Sequence, residues 1–118
     1  MSNDERIQTW VEAARRGDEQ GFLSIYRFYS GKVRGVLRQM LGAEGLDDSV
    51  QEVFLRVWKG LSSLREPSAF SSWIYRTTWN VAMDSRKSAA LRRTQADEFI
   101  QQAQLGRREH SPEKAMDA

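Results

Sequence analysis

Residues 47–61 read Asp47-Asp48-Ser49-Val50-Gln51-Glu52-Val53-Phe54-Leu55-Arg56-Val57-Trp58-Lys59-Gly60-Leu61. Val50, Val53, Phe54, Val57, Trp58 and Leu61 recur at intervals of three and four, so one face of a helix is continuously apolar. The opposite face carries Asp47, Gln51, Glu52, Leu55, Arg56 and Lys59. Asp48 suits the N-cap, and Gln51 three residues on can reach back as in a capping box. A helix with such a stripe must bury it against other elements. The flanking sequence supplies partners in the same period.

Upstream, the spacing predicts a first helix over about Asp4–Arg16, with Ile7, Trp10, Val11 and Ala14 inward. Gly17-Asp18 reads as a helix end followed by an N-cap. A second helix follows over about Glu19–Leu41, with Phe22, Ile25, Tyr26, Tyr29, Val33, Val36, Leu37 and Met40 as its stripe. Gly31 and Gly35 lie inside it at a cost of about 1 kcal/mol each against alanine, which predicts close helix packing or a bend. Gly42–Gly45 forms a loop.

Downstream, Ser62–Ala69 reads as a loop by its serines and Pro67. A fourth helix is predicted over about Ala69–Arg92, with Phe70, Trp73, Ile74, Thr77, Val81 and Ala82 inward. Residues 94–118 are polar and weakly periodic, as in a linker or a frayed helical tail, with Pro112 as a stop. Four amphipathic helices on short loops predict an all-α fold, a small helical bundle. The domain is expected over residues 1–95, with residues 96–118 as a linker or frayed tail. A length of 118 residues suits one domain.

Composition removes several function classes. There is no cysteine and one histidine, His110, which leaves disulfides, thiol catalysis, zinc ligation and Ser-His-Asp chemistry without their residues. Glu44 and Asp47 lack further ligands for a metal, and no phosphate-binding glycine loop occurs. The expectation is a non-enzyme with no cofactor and no metal. No apolar run is long enough to span a membrane, and the N-terminus lacks the features of a secretory signal, so a cytoplasmic location is expected.

The net charge of +2 hides an uneven distribution. Residues 1–66 hold ten basic and ten acidic side chains, whereas residues 73–93 hold Arg76, Arg86, Lys87, Arg92 and Arg93 against Asp84 alone. Such a segment fits either a polyanion partner or a solvated helix face. Tyr75, Arg76 and Trp79 fall off the inner stripe of the fourth helix, and exposed aromatics among arginines suit stacking on unpaired bases. Asn80 can donate to and accept from one base edge. Trp73 fits the core stripe.

These motifs together resemble extracytoplasmic-function (ECF) sigma factors. The run Asp47–Trp58 resembles their region 2.2, and Ser68–Asp84 resembles regions 2.3 and 2.4. Ala13–Glu19 with Phe22 and Tyr26 resembles the region before them. The likeness covers about residues 5–93, spacing included. It implies a bacterial transcription initiation factor whose helical bundle, here residues 1–95, binds RNA polymerase core and opens the −10 promoter element. In that family the helix matching Asp47–Lys59 grips a coiled coil of the polymerase β′ subunit. Asp48, Gln51, Glu52, Leu55 and Arg56 are then polymerase-binding. The loop before the fourth helix and that helix's polar face hold a flipped base of the non-template strand. Leu64, Arg65, Ser68, Tyr75, Arg76, Trp79, Asn80, Arg86, Lys87, Arg92 and Arg93 are then DNA-binding, with Asn80 at the base-contacting position.

Two departures stand out. Leu64 replaces the usual phenylalanine, and Glu66-Pro67 replaces a glycine-acid pair. The family's C-terminal domain, which reads the −35 element, has no counterpart here; His110–Ala115 resembles the linker before it. An anti-sigma factor is a further partner that the resemblance implies. The competing readings are a helical protein-interaction adaptor, which needs only the mixed face of the third helix, and a duplex-binding regulator. The latter is the weaker, since no compact helix-turn-helix is visible.

Overall fold

A computed structural model describes the backbone of residues 2–110 and the side chains of residues 2–105. Four helices make up the fold: α1 (Asn3–Arg15), α2 (Glu19–Leu41), α3 (Leu46–Gly60) and α4 (Phe70–His110). Two short 3-10 turns, Leu61–Ser63 and Pro67–Ala69, lie between α3 and α4. Among the described residues there is no strand.

The helix starts follow local chemistry. Ser2 Oγ accepts from the Glu5 N–H at 3.2 Å, and Asp18 Oδ1 accepts from the Gln20 N–H at 2.9 Å. Each side chain satisfies a donor that the first helical turn leaves open. α3 corrects the expected capping box. Its N-cap is Gly45, at φ 68°, and no side chain caps it. Leu46 is buried, so the helix begins three residues earlier than an N-cap at Asp48 would set it. Asp47 and Asp48 therefore lie in the first turn, where their charges complement the positive helix end.

The first compact unit of the chain is Met1–Ser85. Its core joins Ile7, Val11 and Ala14 of α1 to Ile25, Tyr29, Val33 and Leu37 of α2. Leu46, Val50, Val53, Phe54 and Val57 of α3 and Phe70, Ile74, Val81 and Ala82 of α4 complete it. Thr77 and Thr78 are buried too, and their hydroxyls donate to the carbonyls of Trp73 and Ile74 at 2.9 and 2.8 Å. The carbonyl four residues back satisfies each hydroxyl, so the buried polar atoms carry no open desolvation cost. Thr78 lies off the stripe expected for this helix, because its hydroxyl hid a position that packs as an apolar residue does.

Close helix approach occurs at a different glycine from those expected. A Cβ on Gly21 would lie 2.8 Å from Ala13 Cβ, 2.8 Å from the Trp10 carbonyl oxygen and 2.9 Å from the Ala14 nitrogen. Only glycine lets the start of α2 cross α1 this closely. Gly31 and Gly35 meet nothing within 4 Å, so packing does not account for them.

α2 and the start of α4 are tied by Tyr29. Its hydroxyl lies 2.6 Å from Ser71 Oγ, and its ring packs edge-on against Phe70 and Tyr75 at 5.5 and 6.2 Å. Burial pushes the Tyr29 phenol above its ordinary pKa, against the lowering effect of the Ser71 hydrogen bond.

A second unit begins at Arg86. Its backbone is helical as far as His110, where the sequence pattern ended the helix near Arg92 and gave a linker or frayed tail beyond. Leu91, Phe99, Ile100 and Leu105 are exposed in it. The amphipathic stripe stops, but Ala89, Ala90, Leu91, Gln95, Ala96, Glu98, Gln101 and Gln102 are mostly strong helix formers with no proline among them. Propensity carries the helix where periodicity does not. Pro112 and the Ser111–Ala115 stretch lie outside the described residues.

Candidate functional site

α4 sorts its residues sharply between two sides. Ile74, Thr77, Thr78, Val81 and Ala82 are buried, while Tyr75, Arg76, Trp79 and Asn80 are exposed. Trp79 is 54% exposed, a large apolar area left to solvent. Tyr75 and Trp79 stand four residues apart, as do Arg76 and Asn80, so each pair shares a patch of helix surface. The aromatic pair offers flat apolar rings, and the second pair adds a cation and an amide. Trp73, expected in the core, is half-buried, and its indole edge lies over Gly60, where a Cβ would come within 2.7 Å.

The loop between α3 and α4 divides its expected site residues. Arg65 and Ser68 are exposed. Leu64 is half-buried and packs against the core, so its side chain is committed to the fold. Arg86, Lys87, Arg92 and Arg93 are exposed on the helix of the second unit.

A second surface lies between α2 and α3. A groove of ≈ 610 Å³ is lined by Phe22, Tyr26, Arg34, Asp47, Val50, Gln51, Phe54, Leu55 and Trp58. Its floor is aromatic: Phe22 meets Trp58 edge-on at 4.9 Å, and Tyr26 meets Phe54 at 4.8 Å. Arg34 and Asp47 close one rim with a 2.7 Å ion pair. Tyr26 and Trp58 are 39% and 42% exposed, although the sequence pattern put both on buried stripes. They sit at the edges of those stripes, where a large ring extends beyond the contact between two helices. Stripe width was the signal that they line a surface.

The five residues of α3 expected to bind a partner separate into two groups. Gln51 and Leu55 line the groove, and Asp48 is exposed in the first turn. Glu52 and Arg56 are engaged with each other: Arg56 Nε donates to Glu52 Oε1 at 3.0 Å. Arg56 Nη2 also pairs with Asp84 Oδ2 of α4 at 3.0 Å. The Glu52 hydrogen bond raises the Arg56 pKa most, desolvation opposes it, and Asp84 adds to the rise. Nothing in the sequence pattern signalled Asp84, because the pair joins two helices.

Comparison with known proteins bears on both surfaces. The sigma-70 region 2 family model matches residues 25–96, which take in most of α2, all of α3 and the exposed face of α4. The chain belongs to the sigma-70 region 2 family. This region 2 domain is 30% identical to RNA polymerase sigma-H factor of Pseudomonas aeruginosa over 123 residues, covering 98% of this chain and 64% of that protein. It is 33% identical to the ECF RNA polymerase sigma-E factor of Escherichia coli K12 over 82 residues, covering 70% and 43%. The chain thus spans less than two thirds of the length of these curated relatives. Its fold matches the NMR structure of an engineered region 2 of sigmaE in complex with GTAAAA. That match has a TM-score of 0.71 and 28% identity, and covers 78% of this chain and 97% of that one. Among the described residues of the region 2 domain, no cluster of possible metal ligands occurs, and no helix is long and apolar enough to cross a membrane.

Proposed function

We propose that this region 2 domain acts in transcription initiation as part of an ECF-type sigma factor. It docks on RNA polymerase core and captures unpaired bases of the −10 promoter element. The observation that carries the reading is the face of α4, where Tyr75, Arg76, Trp79 and Asn80 are exposed beside fully buried neighbours. Rings held on a rigid helix can stack on bases at about 1–3 kcal/mol each, which offsets unstacking without any hydrolysis. Asn80 presents a donor and an acceptor to one base edge. Arg65 and Ser68 supply the loop side of the pocket, and Arg86, Lys87, Arg92 and Arg93 contact phosphates. The engineered region 2 of sigmaE in complex with GTAAAA supports a single strand as the ligand. With Leu64 packed inward, the base pocket lacks the ring that the family's usual phenylalanine brings, and the base preference of this domain differs accordingly.

Polymerase docks at the α2–α3 groove and the adjoining outer face of α3. Its β′ coiled coil brings apolar side chains to Tyr26, Leu55 and Trp58 and polar ones to Asp48 and Gln51. An anti-sigma factor covers the same surface in the inactive state, and the domain works in the cytoplasm.

The groove also favours a second reading, a protein-interaction adaptor, which leaves the α4 face unused. One experiment separates the two. The full chain is incubated with a randomised hexamer pool of single-stranded DNA, with and without bacterial polymerase core, and bound strands are sequenced. Recovery of a preferred sequence supports the promoter-capturing reading. Core binding with no strand enrichment would establish the adaptor instead.

A further inference from the structure

Arg56 reaches from α3 to α4 with one planar side chain. Nε serves Glu52 Oε1 and Nη2 serves Asp84 Oδ2, each at 3.0 Å. A guanidinium holds two carboxylates in fixed directions, which a lysine ammonium does not. Asp84 stands four residues after Asn80, and Asn80 four after Arg76, so the three follow one line of α4, all exposed. On α3, Glu52 stands three residues before Leu55, which lines the groove. The network therefore has one end beside the docking face and the other on the base-reading line. It fills no interior space: the Arg56 side chain is 37% exposed and that of Asp84 56%. Ion pairs this exposed contribute little to folding, so holding the bundle together does not account for a three-residue link between its two working faces.

We infer that Arg56 is a positioning residue: by holding Asp84 it sets the pose of the Arg76–Asn80 line, and by sharing its guanidinium with Glu52 it makes that pose respond to docking on α3. The inference rests on the proposed roles of the two faces. A partner cation that takes the Glu52 carboxylate leaves the guanidinium to Asp84, and the link between α3 and α4 tightens. By linkage, strand capture strengthens docking by the same factor.

The test reads that factor directly. A fluorescein-labelled copy of the best strand from the randomised hexamer pool is titrated with the full chain, alone and with saturating polymerase core, for the parent, Asp84→Asn and Asp84→Glu. In the parent, core raises strand affinity. Asp84→Asn cuts that gain by about two- to fivefold, in keeping with a partly exposed ion pair. Asp84→Glu, which restores a carboxylate, recovers most of the gain. A purely structural role would lower strand affinity equally with and without core, and that result would overturn the inference. So would a full gain in Asp84→Asn, or no gain in the parent. Failure of the parent to bind core or strand at all would instead overturn the proposed function and take this coupling with it, and it needs no substitution to be seen.

Discussion

Asn80 is exposed one turn after Arg76, on the stretch of α4 whose opposite side, Ile74, Thr77, Thr78 and Val81, is buried. A surface asparagine without a role gains a little helix stability when replaced by alanine. If Asn80 reads a base edge, Asn80→Ala instead costs about 1–3 kcal/mol against the preferred base and leaves a mismatched strand nearly unaffected. Paired titrations of the two strands check this, and equal losses on both would remove Asn80 from base reading. Tyr29 makes a different prediction, about stability. Its folded pKa lies above the ordinary phenol value of about 10, chiefly through burial. A phenol kept neutral in the fold contributes stability that is fully present below pH 10 and is lost as pH rises through the folded value. Denaturant titrations at pH 7 and above pH 10 are expected to show that loss in the parent and a smaller one in Tyr29→Phe. At pH 7 the same substitution removes the hydroxyl's bond to Ser71 and costs about 1 kcal/mol.

Among the helices, the course of α1, α2 and α3 was legible because an unbroken three-four spacing has one structural reading. Asn80, Trp79 and Tyr75 were legible as exposed for the same reason: they miss the stripe. What depends on the relation between helices was not. Asp48 looked like a cap because it precedes Val50, yet Leu46 also buries itself and pulls the helix start back. Gly21 carries no mark that distinguishes it from Gly31 or Gly35 until α1 is seen lying against it. This difference gives a sharp contrast. Gly21→Ala forces a methyl group against backbone and should cost about 1–3 kcal/mol. Gly31→Ala and Gly35→Ala place a methyl in open space on a helix and should each add about 0.5–1 kcal/mol. Thermal melts of the three variants check the order, and a stabilised Gly21→Ala would contradict the α1–α2 packing.

For the molecule as a whole, the proposed strand binding makes a prediction about charge. If Arg86, Lys87, Arg92 and Arg93 meet phosphates, log affinity should fall with log salt by about 0.7 for each contact. Replacing Arg92 and Arg93 by alanine should flatten the slope by about 1.4 and leave sequence preference intact. A salt titration of parent and double variant on one strand decides it; an unchanged slope would remove these arginines from the interface. Capture of an unpaired strand by the exposed face of α4 is the narrower proposal. It is tested most directly by the affinity of the full chain for a labelled copy of the best strand from the randomised hexamer pool, measured for the parent and for Trp79→Ala at high protein concentration. Trp79 is exposed, so its loss should move folding stability by about 0.5 kcal/mol or less. The expected loss in strand binding is about 1–3 kcal/mol, one stacked base. Equal affinity in parent and variant, with both folded, would contradict it.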